Sequence, residues 1–382
     1  MRKEAALTAL AGNWYKWKFR WIFSWKGSTI SLVSAEGESA GRGGSMLKRA
    51  ASVILAAGLA LAAAFTSLPA EAAGKTYSSE LTGEPISTSI QNQRPIAVMI
   101  DNDQRAYPHY GLADADIVYE LINSTKNSRV TRLMAVYKDW KNVSMIGNIR
   151  STRPTNIMTA AEYNAVLVHD GGPYHNNAYF KSTGIDHLSG GFARVKNGKP
   201  TEFTEYVKTG QVASRLKSAG ISASYTEKVG SHFNFATYGT EVDLKEEYGS
   251  GVVSCTSVSL PYSHNKSALK YNSKTKTYDY YEFGKACVDA LNKKTPSFKN
   301  VIIQEVDMVQ LDKNGYMLFN CQGQGIGYYI TDGEMIPVTW IKSTQTGKTK
   351  YYDGAGNEIE VNCGKTYVTM CPSDSWSKLS IQ

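Results

Sequence analysis

Cysteine is scarce and unevenly placed: five in 382 residues, at Cys255, Cys287, Cys321, Cys363 and Cys371, with none before residue 255. No two of them form a C-x-x-C pair, so neither zinc nor thioredoxin chemistry is expected, and the odd count leaves at least one thiol unpaired. Cys363 and Cys371 stand near the ends of a strand pair, where a disulfide and two buried thiols are equally compatible with the spacing. Also missing are a G-x-S-x-G elbow, an H-E-x-x-H pair and any internal repeat. The two best-marked routes to hydrolysis are therefore absent. Past residue 73 there is no run of like charge that would track a phosphate backbone, so nucleic acid is not an expected ligand. The formal charge of +8 is partly a property of the first 73 residues; without their nine basic and four acidic residues, 33 and 30 remain, a formal +3.

The long apolar run from Ala50 to Leu68 follows Met46-Leu47-Lys48-Arg49 and precedes Pro69-Ala70-Glu71-Ala72-Ala73-Gly74. A basic start, an Ala- and Leu-rich middle and a small-x-small exit make residues 46–73 a signal peptide, cleaved near Ala72 or Ala73. The run is at the short end for a bilayer span, which favours cleavage over anchoring. Residues 1–45 lie upstream of this leader and read as a non-native extension. If they were translated, Trp14, Trp17, Trp21 and Trp25 with their lysines would suit an interfacial anchor.

Residues 74–93 are polar and rich in Ser and Thr, and read as a linker. An α/β part over 94–248 and a β-rich part over 249–382 are expected to follow, an α+β chain with a mixed sheet. Ile96 to Ile100, Ile117 to Ile122, Thr131 to Tyr137 and Asn164 to Val168 are apolar runs of the kind that fill buried strands. Gly210 to Gly220 predicts a short helix with a glycine stop. Beyond Gly249 the chain turns to alternating, tyrosine-rich segments punctuated by Asp332-Gly333 and Asp353-Gly354 hairpin signals. Their tyrosines suit either a glycan or partner surface or cross-strand pairs. Phe283 to Lys294 has helical periodicity between strands. Gly323-Gln324-Gly325-Ile326-Gly327 reads as a bulge or close strand crossing, because no helix pattern follows it.

The informative stretch is Ile146-Gly147-Asn148-Ile149-Arg150-Ser151-Thr152-Arg153-Pro154. A strand over Val143 to Ile149, capping residues Ser151 and Thr152, and Pro154 opening a helix over Asn156 to Tyr163 place two guanidinium forks beside helix N–H groups. One helix later, His169-Asp170-Gly171-Gly172 ends the next strand, as would follow if adjacent strand ends shared a crevice.

Several segments in fixed order resemble the YerB-like family of bacterial lipoproteins. They are Arg94 to Asn102, Gly111-Leu112 with Ala115 to Glu120, Thr131-Arg132, Ile146 to Pro154 and His169 to Gly172, then Asn300 to Ile302, Gly325 to Tyr329, Thr339 to Lys342 and Gly364 to Tyr367. The resemblance implies an extracytoplasmic protein with a mixed α/β N-terminal part and a β-rich C-terminal part; it supplies no reaction. The chain departs from the family pattern in three places. Residues 67–74 hold no lipobox cysteine, so release or wall association is expected rather than lipid anchoring. Pro173 stands where Ser is usual. Pro200 to Tyr206 replaces a Pro-His-Asn-Leu-Tyr type of segment, removing a His and an Asn expected to line a site.

Asp101, Glu120, Arg132, Arg150, Arg153 and His169 all fall at or near the ends of apolar runs. The favoured expectation is a binding or interaction protein of the cell envelope with an anion crevice. Asn102, Arg132, Arg150, Ser151, Arg153, Gly171 and Gly172 would contact an anionic wall or envelope component. The alternative is a hydrolase or transferase acting on an anionic envelope glycan or peptide, with His169 as acid or base and Asp101 or Glu120 orienting it. Pro173 to Tyr179 would be a lip over the crevice or an ordinary exposed loop. A divalent-metal site from Asp101, Asn102, Asp103 and His169 is the lesser reading, and no metal or cofactor is expected. The membrane would be met only through an uncleaved leader, and no protein partner is indicated.

Overall fold

The apolar runs do not alternate, which is the pattern of strands covered on both faces. The computed structural model describes residues 76–227 and 229–382; the expected upstream extension, signal peptide and cleavage site lie outside the described residues. Ile96–Asp101, Ile117–Ile122, Thr131–Tyr137 and Thr366–Pro372 are buried along their whole length. Side chains such as Val98, Ile100, Leu133 and Val368 are fully inaccessible, each contributing about 1.5–3 kcal/mol of apolar burial.

These strands belong to an 11-stranded mixed sheet. From one edge it runs Val253–Ser254, Glu334–Lys342, Gly323–Thr331, Asn300–Val306, Thr366–Pro372, Ile117–Ile122, Thr131–Tyr137, Ile96–Asp101, Val166–His169 and His187–Ser189, with Lys350–Tyr352 pairing Glu334–Lys342. Thr366–Pro372 lies parallel to both neighbours, with Thr366 opposite Asn300 on one side and Ile117 on the other. The stretches before and after residue 249 thus contribute strands to one sheet, and residues 76–382 lie within one compact unit.

The stretch expected as a linker, residues 74–93, is instead ordered chain from Thr76 onward. Thr76–Ser78 pairs with Pro85–Ser87, Leu81 is fully buried, and buried Glu80 meets the Lys138 ammonium at 2.6 Å. Serine and threonine there cap turns, as Ser79 Oγ does for the Leu81 N–H at 3.2 Å, rather than marking loose chain.

A six-stranded antiparallel sheet, Ser257–Ser259, Ala268–Asn272, Thr277–Glu282, Lys285–Ala286, Ser297–Phe298 and Ser380–Ile381, packs against the large one. Its tyrosines are mostly core. Tyr278 and Tyr280 are inaccessible, Tyr280 lies 5.7 Å from Tyr367 ring to ring, and Tyr271 is the cross-strand partner of Tyr278. The Phe283 to Lys294 stretch is a strand and turns, since its apolar positions serve this sheet. Gly325 and Gly327 lie within a strand at close crossings; a Cβ on Gly327 would meet the Ile303 carbonyl oxygen at 2.3 Å. Gln211–Ala219 forms the expected glycine-stopped helix. All five cysteines are free thiols, so Cys363 and Cys371 are not bridged. Among the described residues, no helix is long and apolar enough to cross a membrane.

Candidate functional site

The arginine corner differs from its sequence reading in detail. The strand is only Met145–Gly147, paired antiparallel to Glu205–Lys208, and the helix runs Pro154–Ala161 with Arg153 itself at the N-cap and no side-chain capping bond. Ser151 and Thr152 are therefore not caps. They lie in irregular chain between the strand and the helix, with Arg150 N bonded to Met99 O at 2.9 Å.

Three guanidiniums converge on a cavity of about 350 Å³. Asp101, the last residue of its strand, stands between two of them: Arg150 Nε is 2.8 Å from Oδ2 and Arg132 Nη2 is 3.5 Å from Oδ1. Arg132 also donates to the Ser151 carbonyl at 2.9 Å. Arg150 reaches outward to Glu202 at 3.0 Å. Arg153 is only 6% exposed, has no carboxylate within ion-pair distance among the described residues, and donates to the Thr152 carbonyl at 2.8 Å. Its guanidinium lies 4.5 Å from the centre of the Tyr316 ring, and its Nε has no partner. Burial, then the Arg132 and Arg150 charges, pull Arg153 down to about 9, with the Tyr316 and Asp101 side chains opposing them. Burial likewise lowers Arg132, with Asp101 opposing. The lining carries five cationic side chains, Arg105, Lys126, Arg132, Arg150 and Arg153, against three carboxylates, Asp101, Asp103 and Glu202. Asp103 is already engaged by Arg105 in a two-point contact of 2.9 and 3.0 Å.

The other expected residues lie elsewhere. Glu120 is fully buried in a hydroxyl cluster, accepting from Thr131 at 2.6 Å, Ser267 at 2.7 Å, Tyr280 at 3.0 Å and Tyr367. Burial raises its pKa while the Thr131, Tyr367 and Ser267 hydroxyls oppose the rise. Asn102 joins this cluster through Nδ2, 2.8 Å from Thr131 Oγ1, and does not line the cavity. His169 ends its strand as expected but faces neither Asp101 nor Glu120. Nδ1 lies 2.8 Å from the Gly171 carbonyl, Nε2 lies 3.0 Å from His187 Nδ1, and the ring stacks on Phe180. Burial, then the His187 ring, takes His169 down to about 4 although its bond to Gly171 opposes this. The pairing of His169 with Asp101 or Glu120 is therefore not assembled, nor is the metal set that included His169. Gly171 and Gly172 are exposed and outside the lining, and the buried first turn of the helix, Pro154 to Asn156, lies outside it too. Pro173 to Tyr179 is not a loop throughout, since Asn176–Thr183 is a helix, leaving Tyr174 exposed at its start.

Arg105, Lys126, Glu202, Phe203, Asn314 and Tyr316 are among the further lining residues and were not singled out from sequence as site residues. Glu202 and Phe203 sit in the segment that departs from the family pattern; that departure was a usable signal. Tyr316 follows the Asp312 to Gly315 turn, brought here by a bridge to Ser124 and a Thr125 N to Gly315 O bond of 3.0 Å. No local signal marks so distant a pairing.

The chain belongs to the DUF3048 family, proteins of unknown function: the family's N-terminal domain matches residues 81–222 and its C-terminal domain residues 258–368. Among its relatives is the candidate lipoprotein YerB of Bacillus subtilis (strain 168), 22% identical over 311 residues, which cover 78% of this chain and 87% of that protein. The crystal structure of YerB protein from Bacillus subtilis superimposes with a TM-score of 0.68 at 20% identity, covering 80% of this chain and 99% of the other. That likeness carries the α+β mixed-sheet fold and no activity.

Proposed function

We propose that the chain is an exported envelope-associated binding protein whose arginine cavity takes an anionic group, a phosphate or carboxylate carried by a wall glycan or peptide. The carrying observation is Arg153: a buried guanidinium with no carboxylate of its own, facing a cavity that Arg105, Arg132 and Arg150 also line. Guanidinium forks bind oxyanions bidentately, and a second anion would supply the charge that Asp101 cannot share among three cations. The reading of residues 46–73 as a cleaved leader and the name of the Bacillus relative support an extracytoplasmic location. The absence of a cysteine at 67–74 favours release or wall association over lipid anchoring.

The test is thermal stabilisation by phosphate, citrate and wall-derived phosphorylated fragments at fixed ionic strength. Wild type should gain stability in a saturable manner and the Arg150→Ala/Arg153→Ala double variant should not. Equal stabilisation of both, or none of wild type, would overturn the proposal.

A further inference from the structure

Asp101 and Asn102 end the same strand run but face different surroundings, and Asn102 leads to a second polar cluster away from the arginines. Its Oδ1 lies 3.1 Å from His109 Nε2, while Nδ2 is held by Thr131 Oγ1 at 2.8 Å and Glu120 Oε1 at 3.2 Å. The same His109 Nε2 is 3.0 Å from Glu282 Oε1. Glu282 closes the Thr277–Glu282 strand, which turns back through Lys285–Ala286 to Cys287, whose N–H bonds the Tyr280 carbonyl at 2.9 Å. Tyr280 and Glu282 share a face by the two-residue strand period, and Cys287, opposite Tyr280, joins it. The hairpin therefore projects a carboxylate and a thiol to one side, toward His109.

His109 is 1% exposed, and Asn102, Glu282 and Cys287 are fully buried. Ligand atoms of His109, Glu282 and Cys287 all lie within 4.8 Å of one another. Protons alone satisfy this group poorly. His109 Nε2 can donate one proton but faces two oxygens, and neither Glu282 oxygen has a hydrogen bond of acceptable geometry among the described residues. No cation other than His109 is within ion-pair distance of Glu282 there. A fully buried carboxylate so poorly matched calls for a further positive charge.

We propose that His109 Nε2, a Glu282 oxygen, Cys287 Sγ and Asn102 Oδ1 form a structural zinc site. One nitrogen, one thiolate and two oxygens are a donor set for Zn²⁺ rather than for Mg²⁺ or Ca²⁺, which take oxygen ligands. Charge closes as well: on binding, the Cys287 thiol and the His109 imidazolium each release a proton. The thiolate and the Glu282 carboxylate then neutralise the dication. Glu120 and Thr131 hold the Asn102 amide so that its oxygen faces inward, the second layer such sites require. With all four donors closed off from solvent, the metal would enter before the hairpin docks, so the site belongs to folding rather than to exchange or catalysis. This inference is independent of the arginine cavity.

The test uses the full exported chain produced with zinc supplied, dialysed and analysed for metal, then unfolded with chelator and refolded with Co²⁺. Expected are about one zinc per chain and, in the cobalt form, a thiolate-to-metal charge-transfer band that Cys287→Ser abolishes and Cys255→Ala preserves. Cys287→Ser should also lower zinc retention at least tenfold, in the range of a lost metal contact. Should that variant not fold, the wild-type metal content and cobalt spectrum decide alone. Wild-type protein that carries far less than one zinc and gives no thiolate band on refolding with cobalt overturns the site. A band that persists in Cys287→Ser does the same.

Discussion

Replacing Arg153 with methionine should weaken anion binding while leaving the ligand-free protein as stable as before or more so. A guanidinium held at about 9 rather than its ordinary 12.5 carries a cost near 5 kcal/mol for remaining charged, at about 1.4 kcal/mol per tenfold. The sign is that of a cation whose folded-state pKa is depressed. The cost is present in full below pH 9 and disappears only as pH rises from there through the unfolded value, so it operates at neutral pH. Arginine does not surrender its proton in practice, so the cost appears as lost stability unless an anion offsets it. Methionine keeps most of the stem's apolar volume and removes the charge. Allowing about half of the cost for relaxation and water entry, Arg153→Met should gain about 2 kcal/mol, a few degrees in Tm. Its affinity for phosphate or citrate should fall 10- to 100-fold, the worth of about 1.5–3 kcal/mol for charged hydrogen bonds.

The assay is a melt with and without anion, with urea unfolding to convert Tm to free energy. Arg129→Met is the control: Arg129 meets Asp374 at 2.6 Å on the surface, so its loss should change stability by about 0–1 kcal/mol and anion binding not at all. A less stable Arg153→Met protein that anions stabilise as well as wild type would refute the reasoning on both counts.

Tyr316→Ala should reduce anion affinity several-fold by freeing Arg153, whereas Tyr316→Phe should retain it, because the ring face is what the guanidinium meets; isothermal titration with phosphate would tell them apart. Lys342→Met should cost about 3–5 kcal/mol in urea unfolding, since it strips the inaccessible Glu162 carboxylate of its 2.7 Å partner, and adding Glu162→Leu should recover part of the loss. His169, held at about 4 in the fold, binds its proton more readily when unfolded, so its contribution is lost as pH falls from 6.5 towards 4. Relative to His169→Gln, wild type should lose about 2 kcal/mol between pH 7 and pH 5, and parallel stability curves would contradict this.

What sequence could reveal followed the range of the interaction. Ile96–Asp101, Ile117–Ile122 and Thr131–Tyr137 are legible because uninterrupted apolar runs mark strands covered on both faces. The convergence of Arg132, Arg150 and Arg153 was legible because charges at the ends of such runs collect at sheet ends. The depth of Glu120 was not: in sequence it is one more acid near a strand end, and only the Tyr280 and Tyr367 hydroxyls, brought from the other sheet and the tail strand, make it a core residue. His169 was misassigned for the same reason, since its partner His187 lies on the neighbouring edge strand. The division near Gly249 was legible as a change of composition, and the family's two domain models fall on either side of it, but the joining of both parts in one sheet was not. Thr366–Pro372 inserts beside Ile117–Ile122, a contact no window along the chain can contain.

The unpaired state of Arg153 is not a general weakness of this fold in matching charge. The described residues include five cationic side chains classed as buried, and four meet a carboxylate: Arg94 at 2.6 Å from Asp186, Lys138 at 2.6 Å from Glu80, Lys342 at 2.7 Å from Glu162, and Arg132 at 3.5 Å from Asp101. Nor is acid lacking nearby. Asp312, two residues before Asn314 in the cavity lining, turns instead to His175 at 3.1 Å, and Glu202 goes to Arg150. A chain that pairs four of its five buried cations, while Glu202 and Asp312 pair with other residues, leaves a stabilising contact unmade at one place. Such local departures from charge matching concentrate where a fold meets its ligand, and here the missing partner has the charge and size of an oxyanion.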